Sequence, residues 1–129
     1  MLAVITVFTT LAMDLVSKQW ARQNSFIENQ NFTFGLPGGK NVSLITTAFI
    51  LAAFFTFYKK HRTSFSKLEN IALGLIIGGA CSNLYERLFR GAITDFIKIG
   101  KSLLNFADLA IFGGIILMLF CLIKNNYAH

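Results

Sequence analysis

The sequence predicts an all-α membrane protein, four antiparallel transmembrane helices carrying a small β-like platform at one end. Three observations lead there. Of 129 residues, 54% are hydrophobic, the mean hydropathy is +0.58 and there is one proline, a balance too apolar for a soluble domain of this size. Four apolar runs, roughly 2–13, 44–58, 71–81 and 109–123, alternate with polar or glycine-bearing segments. Most of the acidic residues fall at those run ends that alternating helices bring to one side of a membrane.

Each run is shorter than the ~20 residues that cross a ~30 Å hydrocarbon core. The helices must therefore recruit polar neighbours, and are expected at roughly 1–20, 43–60, 67–90 and 106–124 of a single membrane domain. The first run is read as a retained helix and not a cleaved leader. No basic segment precedes it, and no small-x-small site comes before Asp14, Ser17 and Lys18. Its polar end is Asp14-Leu-Val-Ser-Lys18, with Trp20 as an interface anchor. A polar connector, Asn29 to Gly39, leads to the second helix, whose Phe54-Phe55-Thr-Phe57-Tyr58 reads as lipid contact or core. A short basic loop from Lys59 to Lys67 follows. The third helix carries Gly74, Gly78 and Gly79, which suit close helix packing, and ends in Ser82-Asn83-Leu-Tyr-Glu86-Arg87. The β-like platform is expected from 24–39 and 93–99. The fourth helix opens at Asn105-Phe-Ala-Asp108 and holds Gly113 and Gly114, expected to pack likewise.

The net charge of +6 forms no stripe on a polar helix and no nucleic-acid module is visible. Contact with anionic membrane lipid explains it better than nucleic acid. Basic residues fall on both sides, so the positive-inside rule gives no orientation. Cys81 and Cys121 lie in or at the ends of apolar runs, and neither His61 nor His129 is spaced with them for a metal. No disulfide, zinc site or cofactor is expected.

Helical spacing sharpens the polar ends. Asp14, Ser17 and Lys18 share one face, as do Asn83, Glu86, Arg87 and Arg90. Ionisable groups at membrane depth are costly, so such faces are functional candidates; snorkelling to the interface is the simpler alternative for Lys18 and Arg90. Asp95, just after the third helix, and Asp108, opening the fourth, lie at the same surface. Two aspartates brought together hold one proton between them, leaving a carboxylate to activate water and a carboxylic acid to polarise a carbonyl. That is acid–base hydrolysis. Alone, Asp108 reads as a helix cap and Asp95 as a turn acid; together with Asn105 and the third helix, catalysis is preferred. The rival is a small four-helix proton-coupled transporter, which needs its acid near mid-span.

The run from Ala72 through Gly78-Gly-Ala-Cys-Ser-Asn83-Leu-Tyr-Glu-Arg87-Leu-Phe-Arg-Gly91-Ala-Ile-Thr-Asp95 closely resembles the long signature of the signal peptidase II, or lipoprotein signal peptidase, family. Asp14-Leu-Val-Ser-Lys18, Asn29-Gln-Asn-Phe-Thr-Phe-Gly35 and Asn105-Phe-Ala-Asp108 resemble its other motifs, in order. The resemblance implies an inner-membrane aspartyl endopeptidase, with a periplasmic platform and an active site near the outer face. Its substrates would be prolipoproteins, cut just before a cysteine bearing a diacylglyceryl group, and its inhibitors globomycin-like cyclic peptides. By motif, Asp95 and Asp108 are the catalytic pair. Asn29, Gly35, Asn83, Arg87 and Asn105 stand where substrate would be held or the dyad oriented, and Asp14, Lys18 and Glu86 support the site. Asn31 departs from a usual glycine, Glu86 from a usual aspartate, and the connector from Lys18 to Asn29 is short; these bear on substrate preference.

Overall fold

The structure, a computed structural model, describes residues 1–24, 26–29, 39–61 and 63–127. Four long helices, α1 (Leu2–Asn24), α2 (Gly39–His61), α3 (Lys67–Phe89) and α4 (Phe106–Tyr127), are joined on one side by short strands β1 (Ile27–Asn29), β2 (Ile93–Asp95), β3 (Ile97–Ile99) and β4 (Ser102–Leu104). α3 is the hub, packing extensively on α4 and α1 and less on α2.

The burial pattern inverts that of a soluble protein. The largest fully buried side chains among the described residues are Lys18, Leu73, Glu86, Asn105, Thr94, Asp14, Asp95 and Ser82, of which only Leu73 is apolar. Phe8, Val16, Phe49, Phe55, Ile116 and Phe120 face outward. Outward apolar side chains suit a hydrocarbon solvent, where polar groups have to be satisfied inside. By length and composition, α1 and α4 are each apolar enough to cross a membrane, with mean hydropathies of 1.3 and 2.5.

Glycine sets how closely the helices approach. A Cβ on Gly78 would sit 2.8 Å from the Val7 carbonyl oxygen of α1, and one on Gly79 would sit 2.5 Å from that of Ala107 in α4. Adjacent glycines thus admit backbones on two sides of α3. Gly114 does the same from α4, against the carbonyl of Ala72, but Gly113 faces open space. The expectation that both pack is corrected: at about 100° per residue, neighbouring helix positions cannot both face one partner.

Helix ends explain the rest. α3 starts in a capping box: Ser66 Oγ accepts from the Glu69 amide (3.3 Å) while Glu69 Oε2 accepts from the Ser66 amide (2.7 Å). It ends at Arg90, and Gly91, at φ 79°, turns the chain back with its amide on the Glu86 carbonyl. The returning chain forms β2, antiparallel to β1 with Ile27 opposite Asp95. β3 and β4 make a hairpin turned through Gly100 (φ 61°) and Lys101. β4 was not anticipated, and α1 runs to Asn24, beyond the expected end near residue 20, so Asp14 lies well inside its helix.

Candidate active site

The β3–β4 hairpin decides the geometry. It pairs Ile97 with Leu104, and the Phe96 amide donates to the Leu104 carbonyl at 3.1 Å. Residues 95 and 105 are thereby brought side by side, although ten apart in sequence. Asn105 then joins the two acids: its Nδ2 donates to Asp95 Oδ1 at 2.8 Å and its backbone amide donates to Asp108 Oδ2 at 3.1 Å. The Asp108 amide returns a 3.1 Å bond to Asn105 Oδ1. Asn105 and Asp108 thus form the capping box of α4. Capping, one of the two readings of Asp108 from sequence, is thus present, and the cap is what orients its carboxyl. Both aspartates are buried, with 2% and 4% exposure.

The other oxygen of Asp108 is reached from α3, where Asn83 Nδ2 donates to Oδ1 at 3.0 Å. The Asn83 amide is oriented by Lys18, whose Nζ donates to its Oδ1 at 2.8 Å. Since each amide oxygen is already an acceptor, each NH2 must point to an aspartate, which fixes both asparagine orientations.

Lys18 is fully buried and also contacts Asp14 (2.6 Å) and Glu86 (3.3 Å). Asp14 accepts from Ser82 Oγ of α3 at 2.5 Å and, through Oδ1, from the Ala107 amide at 2.7 Å. That amide is one of the first-turn donors that α4 cannot satisfy itself. One carboxylate of α1 therefore ties α3 to the start of α4, next to Asp108.

Arg87 Nη1 donates to Thr47 Oγ1 of α2 at 3.0 Å. With Asn83 it forms the polar end of a groove of about 300 Å³ between α2, α3 and α4, whose remainder is lined by Ile50, Phe54, Ile76 and Ile115 among others. Phe54, read from sequence as lipid contact or core, is a groove residue.

Of the sequence-selected residues, Asp14, Lys18, Asn83, Glu86, Asn105, Asp95 and Asp108 form one connected set, and Arg87 lines the adjoining groove. Asn29 ends β1 opposite Ile93; Gly35 and Asn31 lie outside the described residues. Arg22, Ser82 and Thr94 were missed. Arg22 continues the spacing of Asp14 and Lys18 by one more turn, and Ser82 precedes Asn83; both signals were present. Nothing in the sequence marks Thr94 beyond its place before Asp95.

The family profile for signal peptidase (SPase) II, Peptidase_A8, matches residues 6–124. The lipoprotein signal peptidase of Syntrophomonas wolfei is 37% identical over 104 residues, 79% of this chain and 69% of that one. That of Caldicellulosiruptor bescii is 33% identical over 103 residues, 79% of this chain and 67% of that one. A solved bacterial membrane enzyme superposes with a TM-score of 0.83 at 22% identity, covering 96% of this chain and 88% of its own, a likeness of fold. With the profile spanning nearly the whole chain and these relatives matching most of it, the chain belongs to the signal peptidase II family, the lipoprotein signal peptidases.

Proposed function

We propose that Asp95 and Asp108 are the catalytic dyad of an aspartyl endopeptidase that cuts prolipoproteins just before the diacylglyceryl-bearing cysteine. The observation that carries this is Asn105, which holds one oxygen of each aspartate at 2.8 and 3.1 Å in a buried site joined through Asn83 to the polar end of an apolar groove. In the mechanism, the ionised aspartate takes a proton from water as it attacks the scissile carbonyl, while its protonated partner donates to the carbonyl oxygen. Collapse of the tetrahedral intermediate returns a proton to the departing amine. Asn83 and Asn105 keep both carboxyls in place through these transfers, and Arg87 meets substrate backbone at the groove mouth.

All four helices cross the membrane in this reading. At 22 or 23 residues each, they rise about 33–35 Å, enough for the hydrocarbon core. The signal peptide and acyl chains enter the groove from the bilayer, and water comes from the polar end, at the outer face of the inner membrane. Globomycin-like cyclic peptides would occupy the same groove. The transporter alternative finds no support: Asp14, the acid deepest in a helix, is bound to Lys18, Ser82 and the Ala107 amide and is no free proton carrier.

The test is cleavage of a diacylglyceryl-modified prolipoprotein by the purified protein in detergent, beside Asp95→Asn and Asp108→Asn. The parent is expected to cut before the lipidated cysteine, and each variant to lose about a thousandfold or more in kcat. A well-folded but inactive parent would refute the reading.

A further inference from the structure

We propose that Arg22 is a positioning residue for Asp95, acting through a closed triangle with Glu86 and Thr94; the proposal rests on Asp95 being a member of the dyad. β2, which ends in Asp95, is three residues long and pairs with another strand of three. A two-stranded ribbon of this size does not hold itself in place, so the position of Asp95 depends on what grips its neighbours. Thr94 is gripped twice by one carboxylate. Glu86 Oε2 accepts from the Thr94 amide at 2.7 Å and Oε1 accepts from its hydroxyl at 2.9 Å.

Arg22, in the last turn of α1, closes the figure. Its Nη1 donates to Glu86 Oε1 at 2.8 Å and to Thr94 Oγ1 at 3.2 Å. A hydroxyl has one proton to give and lone pairs to receive; Thr94 gives to Glu86 and receives from Arg22, which fixes its rotamer. Lys18 also contacts Glu86, at 3.3 Å, so the charge of Glu86 stays compensated without Arg22. What Arg22 alone supplies is the geometry: one guanidinium nitrogen whose two protons reach carboxylate and hydroxyl together. Thr94 and Glu86 are each 1% exposed, whereas the Arg22 side chain is 25% exposed, so its removal admits water without leaving a sealed cavity.

The experiment compares Arg22→Ala, Thr94→Val and the double variant of the full chain in detergent. Either single change is expected to lower kcat about tenfold or more with KM within about twofold, since misplacing a reacting group acts on kcat. The double variant should be no worse than the more damaging single, the sign of one shared device. Amide hydrogen exchange at Thr94 and Asp95 should quicken by about tenfold in Arg22→Ala, with α3 and α4 unchanged. Additive losses in the double variant, a rise in KM at constant kcat, or unaltered exchange at Thr94 and Asp95 would each overturn the proposal. An inactive parent would refute the peptidase reading alone, and the exchange measurement would still decide the triangle.

Discussion

Replacing Lys18 with methionine keeps the length of a fully buried side chain and removes its charge. The ammonium sits 2.6 Å from Asp14, 3.3 Å from Glu86 and 2.8 Å from Asn83 Oδ1. Without it, Asp14 Oδ2 keeps the Ser82 hydroxyl and Glu86 Oε2 keeps the Thr94 amide, but two buried carboxylates lose a shared cation. Breaking a buried pair from one side costs about 3–5 kcal/mol. Asp14→Asn is milder: Lys18 retains Glu86 and Asn83, the Ala107 amide retains an acceptor, the Ser82 hydroxyl can turn to accept from the new NH2, and the loss is the charge-assisted bond from Lys18, about 1.5–3 kcal/mol. In the double variant the stranded carboxylate at position 14 is gone, and Glu86 still has Arg22 at 2.8 Å. The double should therefore be more stable than Lys18→Met alone, at a net cost of about 2–3 kcal/mol against the roughly 4.5–8 kcal/mol that the singles sum to. At about 4 °C per kcal/mol for a domain of this size, thermal unfolding in detergent would show Lys18→Met down by about 12–20 °C and the double by about 8–12 °C. A double variant that melts as low as Lys18→Met, or lower, would refute the ion-pair account.

Two further outcomes follow from the geometry. Gly79→Ala drives a methyl against the Ala107 carbonyl and should cost about 1–3 kcal/mol, whereas Gly113→Ala meets open space and should be neutral or stabilise by up to about 1 kcal/mol; paired melting curves check the contrast. Asn83→Ala removes the 3.0 Å donor to Asp108 and is expected to lower kcat by about tenfold to a hundredfold, with a smaller change in KM. An unaltered kcat in the cleavage assay would detach Asn83 from the dyad.

What was legible in the sequence was what a helix makes periodic. Asp14 and Lys18, or Asn83, Glu86 and Arg87, share a face because of local spacing alone, and those faces do meet in the bundle. Less legible were contacts made by short strands between distant segments. Three-residue strands carry too few alternations to register, so β4 went unseen, and with it the hairpin that sets Asn105 beside Asp95. Arg22 was missed because the first helix was ended four residues early; a helix carried through to Asn24 would have shown 14, 18 and 22 as one stripe. Asp108 was posed as cap or catalyst since sequence cannot show that a capping carboxyl is also tied, through Asn105, to Asp95.

The order of groups around the proposed dyad bears on how two acids can share a proton. A lysine in direct contact with an aspartate favours the ionised form, and with both carboxyls ionised no acid would remain to polarise the carbonyl. In this chain the Lys18 ammonium is held one residue back. Lys18 donates to Asn83, and it is the neutral amide of Asn83 that donates to Asp108; on the other side the amide of Asn105 meets Asp95. The charges of Lys18 and Arg22 are spent instead on Asp14 and Glu86, carboxylates assigned to scaffolding. Position is thus passed to the proposed dyad through neutral hydrogen bonds, while Lys18 and Arg22 balance charge behind it. On the proposed reading, that division accounts for the asparagines beside the two acids, and for the ion pairs of Lys18 and Arg22 lying on Asp14 and Glu86 instead of on Asp95 and Asp108.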